Sequence, residues 1–313
     1  MAKRLLVGIP LALLMVGLLL LDGYLAAHLP DVRMPGWNID VSTWLRNGAA
    51  STALIVVLTV LATDELVHLA RARGYRPFGG TAVFFAAVLV VSPYVSFNVR
   101  HVTGAYDESW SLLWMATALA YVFLRQAVRR RTENAMENIA ITIFIIFYAG
   151  GLAGFLTKLR MELGGSAGVL VVLFSAFLVK MADTGAYFAG RAVGRHKLIP
   201  WLSPGKTWEG FAGGLATTIL LAVLIGQWLH AVGWVRIEER YVSHVWALAF
   251  LGLLLGLFSV AGDLCESLLK RDAAVKDSGR VPGLGGVLDM VDSVLLAAPV
   301  AWLFWTRLVH LES

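Results

Sequence analysis

Residues 243–266 read SHVWALAFLGLLLGLFSVAGDLCE, and this stretch decides the fold. From Ser243 to Gly262 it carries no formally charged side chain. At a rise of about 1.5 Å per residue, some twenty apolar residues wound as a helix cross about 30 Å, the hydrocarbon thickness of a bilayer. The run then ends on Asp263 and Glu266, so the polar chemistry begins where the apolar helix stops. Working outward, eight further stretches have the same character, at about 5–28, 50–70, 80–99, 108–126, 137–157, 166–189, 208–230 and 286–308. The stretch at 108–126 opens on an acidic pair, Asp107 and Glu108, and is only just long enough. The expected fold is all-α: a polytopic integral membrane protein with about nine transmembrane helices.

Composition points the same way. Of the 313 residues, 58% are hydrophobic and 15% charged, whereas soluble domains carry nearer a quarter charged residues. Lipid accepts such a surface provided each backbone N–H and C=O is bonded within its own segment, which favours helices. The one cysteine, Cys265, excludes an intrachain disulfide and has no neighbouring histidine in sequence, so a packing role is expected. The seven histidines show no zinc-ligand spacing.

Lysine and arginine sort the connecting loops. The N-terminus and every second loop, around residues 71–76, 125–131, 191–206 and 270–280, hold 17 of them; the remaining loops and the C-terminus hold 8. Lys180 lies inside a span. The positive-inside rule then places the N-terminus in the cytoplasm and the C-terminus outside. Lys3, Arg4 and Ala26-Ala27 give the first span some features of a cleavable leader, but its apolar run exceeds a leader's 7–15 residues, and retention is expected. Residues 1–160 read as a transmembrane scaffold and 161–313 as the catalytic region. Within the scaffold the unusual feature is Asp64-Glu65 in the second span, where a carboxylate must either reach the cytoplasmic face or meet a partner.

Three segments on the cytoplasmic side break the apolar logic. The first runs Lys180-Met-Ala-Asp183-Thr-Gly-Ala-Tyr187, then Gly190-Arg191, then Ser203-Pro-Gly-Lys206-Thr207-Trp208-Glu209-Gly210. Lys180 and Asp183 stand three residues apart on one helical face. Gly205-Lys206-Thr207 resembles half of a phosphate-binding P-loop, but Pro200 occupies the position of the required first glycine. A flexible loop opening a helix with Lys206 and Thr207 can still bind phosphate through backbone N–H groups. The second segment is Gly262-Asp263-Leu-Cys-Glu266-Ser-Leu-Leu-Lys270-Arg271, with Asp263, Glu266 and Lys270 on one face. The third, Lys276-Asp277 through Gly285-Gly286 to Asp289 and Asp292, opens the last span. Acidic residues there complement the helix dipole, which accounts for one carboxylate better than for a cluster. Hard carboxylate oxygens suit Mg²⁺, which completes its octahedron with waters and substrate phosphates, and lysine and arginine bind the phosphates. The chemistry implied is metal-assisted phosphoryl or nucleotidyl transfer on a nucleotide or a lipid phosphate.

The run Ser267-Leu-Leu-Lys270-Arg271-x4-Lys276-Asp277 through Pro282-Gly283-x-Gly285-Gly286-x-x-Asp289-x-x-Asp292-Ser293 resembles the signature of phosphatidate cytidylyltransferases, the CDP-diacylglycerol synthases. Asp183-Thr-Gly-Ala-Tyr187 and Ser203-Pro-x-Lys206-Thr207-Trp208-Glu209-Gly210 match it too, so the likeness covers about residues 180–293. The resemblance implies Mg²⁺-dependent transfer of a cytidylyl group from CTP to phosphatidate, giving CDP-diacylglycerol and pyrophosphate in phospholipid biosynthesis, and it allows a second, monovalent cation. It implies Asp263, Asp289, Asp292 and Asp183 as metal ligands. Lys270, Arg271 and Lys276 would serve the reaction, and Ser203, Lys206, Thr207, Lys276, Asp277, Gly285 and Gly286 the phosphates. The implied partners are CTP, phosphatidate and membrane lipids, with a homodimer left open and no nucleic acid. The implied place is a bacterial-type inner membrane, with the active site facing the cytoplasm. Leu284 stands where the family usually has histidine, Met290 where it usually has arginine, and Gly205 where lysine is common. A CTP-dependent kinase of a polyprenol-type lipid, a catalytically dead lipid-binding relative and an ion-coupled transporter are the competing readings. The transporter would be expected to show internal repeats, and none is visible.

Overall fold

The computed structural model describes residues 2–30, 41–103, 110–129, 132–234, 243–275 and 286–308. The helices in chain order are α1 (Ala2–His28), α2 (Val41–Arg46), α3 (Ala49–Ala72), α4 (Gly79–Thr103), α5 (Trp110–Val128), α6 (Ala135–Ile145), α7 (Leu152–Leu163), α8 (Gly165–Val193), α9 (Trp208–Ala231), α10 (His244–Asp272) and α11 (Val287–Leu303). Wider π-helical turns, Ile146–Gly151 and Phe304–Leu308, join α6 to α7 and extend α11. Two short strands, β1 (Lys197–Ile199) and β2 (Ser203–Thr207), pair antiparallel between α8 and α9.

The protein is therefore an all-α polytopic membrane protein. Among the described residues, eight helical stretches are long and apolar enough to cross a bilayer. They coincide with eight of the expected spans. In the first, the apolar helix described is the shorter Met15–His28. The lipid-facing character is plain on α5, where Leu112, Leu113, Phe123 and Leu124 are exposed, and on α9, where Leu220, Leu224 and Trp228 are. Neither α2, nor the strand pair, nor the π turns were expected from hydropathy, because none of them changes the length of an apolar run.

The chain forms two compact units. The first comprises residues 1–169 and 272–291. Phe78, Phe85, Leu89, Ile145, Ile146 and Leu159 are buried in it. Gly150 lets two of its helices touch: a Cβ there would stand 2.4 Å from the Cα of Ala86. An ion pair lies in the same interior. Asp22 on α1 and Arg160 on α7 are 0% and 1% exposed, and Arg160 Nε donates to Asp22 Oδ2 at 2.8 Å. The Asp22 carboxylate also accepts from Ser51 Oγ at 2.9 Å and from the N–H groups of Ala50 and Ser51. Gly48 precedes α3 in a left-handed conformation and has no side chain to cap it, so Asp22 supplies the missing acceptor from another helix.

The second unit comprises residues 170–271 and 292–313. Leu178, Leu248, Leu251, Leu255, Phe304 and Trp305 are buried in it. Trp305 Nε1 donates to Ser175 Oγ at 3.2 Å, and Ser259 Oγ donates to the carbonyl of Val179 at 3.0 Å. Such polar links between helices count in lipid, where helix association lacks the hydrophobic drive available in water.

Removing one partner of a fully buried pair strands the other charge, at a cost of about 3 kcal/mol or more. Asp22→Ala should therefore lower the thermal unfolding midpoint of the detergent-solubilised protein by several degrees, whereas Leu20→Ala on the exposed side of α1 should not.

Candidate active site

The chemistry-bearing residues of the second unit gather where α8, α10 and α11 carry carboxylates and β2 carries lysine. Carboxylate oxygens of Asp263, Glu266 and Asp292 lie within 4.8 Å of one another. Glu266 and Asp292 are buried, at 1% and 3% exposure. Glycine brings them together. A Cβ on Gly262 would stand 2.6 Å from the Cα of Ser293 and 2.7 Å from the carbonyl oxygen of Asp292. The backbones of α10 and α11 thus touch one residue away from Asp263.

Each carboxylate has a lysine. Lys206 Nζ lies 2.6 Å from Asp263 Oδ2, and Lys270 Nζ lies 2.6 Å from Glu266 Oε2, one helical turn along α10. Lys180 Nζ lies 3.9 Å from Asp183 Oδ2 and 3.9 Å from Asp292 Oδ1. Asp292 Oδ1 also accepts from the N–H and hydroxyl of Ser293, and Asp183 Oδ1 accepts from Ser259 Oγ at 3.2 Å. Four carboxylates within the apolar spans are thereby matched with three lysines, an arrangement that favours an added cation. The Lys180–Asp183 pair is about 40% exposed on both sides, so it is not a sealed packing pair.

Beside the carboxylates lies a cavity of about 490 Å³, within the usual range of about 300–1,000 Å³ for small-molecule sites. Its polar lining includes Asp183, Tyr187, Arg191, Ser203, Lys206 and Asp263. One wall is the strand pair. Thr207 ends β2 and caps α9: its hydroxyl accepts the N–H of Gly210 at 3.1 Å. Glu209 accepts the N–H groups of Arg195 and His196 and lies 2.6 Å from His196 Nδ1. Together these bonds fix the loop that presents Lys206. A residue at position 205 with a side chain would meet open space, so glycine there is not a packing requirement.

The sequence-predicted residues fall as follows. Asp263, Asp292, Asp183, Lys206, Ser203 and Lys270 belong to this unit and to the groups just described. Arg271 Nε donates to the carbonyl of Leu202 at 3.4 Å, which ties the end of α10 to the turn between the strands. Asp289 stands in the first turn of α11, within the first unit, and Gly286 is buried just before it. Lys276, Asp277, Gly285 and Leu284 lie outside the described residues. Two members of the site were not assigned from sequence. Glu266, on the expected face of α10, joins Asp263 and Asp292 although the resemblance does not imply it as a ligand, and Lys180 reaches Asp292 as well as Asp183. Spacing within one helix could suggest both; their meeting with Asp292 depends on tertiary packing. Cys265, expected to pack, is exposed.

The model of the cytidylyltransferase family matches residues 38–308. The chain belongs to this family. It is 30% identical over 294 residues to a phosphatidate cytidylyltransferase of Synechocystis, covering 86% of this chain and 92% of that protein. It is 42% identical over 197 residues to one of Haemophilus influenzae, covering 61% and 64%, and 34% identical over 184 residues to one of Staphylococcus saprophyticus, covering 58% and 65%. The alignment thus spans just under two thirds of the latter two relatives and nearly all of the first.

The donor set fits a divalent cation. Three hard oxygens that already lie within 4.8 Å of one another can close on an ion with ligand distances of about 2.1 Å by small side-chain rotations. Gly262→Ala would push α11 away from α10 and spread the three oxygens. Mn²⁺ affinity, read by electron paramagnetic resonance, should weaken about tenfold or more, while Gly205→Ala should leave it unchanged.

Proposed function

We propose that this protein transfers the cytidylyl group of CTP to phosphatidate, forming CDP-diacylglycerol and releasing pyrophosphate. The observation that carries the proposal is the meeting of Asp263, Glu266 and Asp292 beside a cavity lined by Lys206 and Arg191, in a chain that matches the cytidylyltransferase family from residue 38 to residue 308. The relatives' names supply the substrates. The residues supply a reason.

A phosphate monoester is already a nucleophile. One of its oxygens attacks the α-phosphorus of CTP, a P–O bond forms, the bond to the β-phosphate breaks, and pyrophosphate leaves with the electron pair. No serine or cysteine is required. The work left to the protein is to align two anions and to neutralise charge as it develops. Mg²⁺ held by Asp263, Glu266 and Asp292 would polarise phosphoryl oxygens and orient the triphosphate. Lys206 and Lys270 hold carboxylates in this structure and lie close enough to turn toward phosphate. Lys180 bridges Asp183 and Asp292 in the same way. Arg191 reaches the cavity with its guanidinium on the Tyr187 hydroxyl at 3.1 Å, a second cationic wall for the nucleotide phosphates.

Asp289 shares a helical face with Asp292 by its i, i+3 spacing, and its assignment as a further ligand belongs to the same proposal, as do the phosphate roles of Lys276, Asp277 and Gly285. The loop charges support a cytoplasmic N-terminus and a cytoplasmic site in a bacterial-type inner membrane, the side on which CTP is found.

Purified protein in detergent with phosphatidate, Mg²⁺ and α-labelled CTP should move label into the lipid phase, release pyrophosphate, and stop in EDTA. CDP formed from CTP with a polyprenol acceptor, and no labelled lipid, would replace the proposal with a lipid kinase. Asp263→Asn and Asp289→Asn should each reduce transfer to background with expression intact. Lys206→Ala should lower kcat/KM for CTP on the order of a hundredfold, as expected when a charge-assisted phosphate contact is lost.

A further inference from the structure

Glu65, like Asp22, is a buried carboxylate of the scaffold that accepts from the start of a helix. It lies on α3, 9% exposed. Its Oε1 accepts the N–H of Val287 at 2.9 Å and its Oε2 accepts the N–H of Leu288 at 2.8 Å. Those are the first two residues of α11, and both lie in the same compact unit as Glu65. The residue before them, Gly286, has no side chain to serve as a cap. The first N–H groups of a helix have no partner inside it, and in a buried setting they must find one. Here a carboxylate from 222 residues earlier in the chain supplies both acceptors and sets a full negative charge against the positive end of the helix dipole.

The cap bears on more than stability. α11 is one helix from Val287 to Leu303 and carries Asp289 and Asp292 in its first two turns. Two hydrogen bonds to two successive N–H groups fix both the position of the helix start and its rotation about its own axis. A rotation of one residue would swing a side chain by about 100°, since a turn holds about 3.6 residues.

We infer that Glu65 is a positioning residue: its bidentate cap holds the start of α11, the helix that carries Asp289 and Asp292. The inference rests on the proposed metal-assisted transfer but is tested separately from it. Glutamine makes an informative variant: it offers one oxygen where two are used, and its NH₂ group faces the second N–H.

The experiment measures amide hydrogen exchange across residues 286–292 and Mn²⁺ affinity by electron paramagnetic resonance, in detergent, for wild type, Glu65→Gln, Glu65→Ala and Leu61→Ala. Leu61 is on the same helix but exposed. Glu65→Ala should speed exchange and weaken Mn²⁺ binding, each about tenfold or more. Glu65→Gln should fall between it and wild type, and Leu61→Ala should match wild type. Should Glu65→Ala fail to fold, Glu65→Gln carries the comparison. Unchanged exchange in the Glu65 variants would overturn the cap, and faster exchange with unchanged Mn²⁺ affinity would overturn the positioning role. Weakened Mn²⁺ binding in these variants, in a protein whose wild type transfers no label from CTP, would support the positioning role and reject the transferase reading.

Discussion

A carboxylate within a membrane-spanning helix must be answered. Leaving it ionised and alone in low dielectric costs several kcal/mol, and the structure meets that constraint at Asp22, Glu65, Asp263, Glu266 and Asp292. Asp22 is answered by Arg160 and by the start of α3. Glu65 is answered by the start of α11. Asp263, Glu266 and Asp292 are answered by Lys206, Lys270 and Lys180. The first two answers consist of hydrogen bonds from helix starts and an enclosed guanidinium, and they build scaffold. The last three include lysine side chains, of which Lys206 lines the cavity, and lysines can be exchanged.

That difference in kind separates architecture from chemistry. A helix N–H cannot leave its carboxylate without unwinding the helix. A lysine can, because its ammonium sits on a flexible four-carbon stem. Under the proposed function the lysine-paired cluster would accept a divalent cation and hand its lysines to phosphate, which is what two anionic substrates need from a catalyst that supplies no nucleophile of its own. Glycine serves the same end by geometry. At Gly262 the absence of a Cβ brings two helix backbones into contact, and the carboxylates of both follow.

Much of this was legible in the sequence. The apolar runs set the spans, because hydrocarbon thickness fixes helix length. The spacing of Asp263, Glu266 and Lys270 placed them on one face of one helix. The strand pair between α8 and α9 was not legible, since Lys197–Ile199 and Ser203–Thr207 are too short and polar to give a hydropathy signal. Nor were the π turns, which widen a helix without altering its composition. Glu65 read as a carboxylate in need of a partner, but nothing local said that the partner begins 222 residues later.

The sequence by itself determined an all-helical membrane protein, the family it belongs to, and which helix ends carry acid and base. The first and the last follow from periodicity and local spacing, and the family from the resemblance of its motifs, all properties of a chain read along its length. Only the tertiary structure decided that Glu266 joins Asp263 and Asp292, that Lys180 reaches Asp292, and that Glu65 caps α11. Each of those depends on helices meeting side by side, at distances set by the absence of a Cβ on Gly262 or by the reach of one carboxylate to two N–H groups.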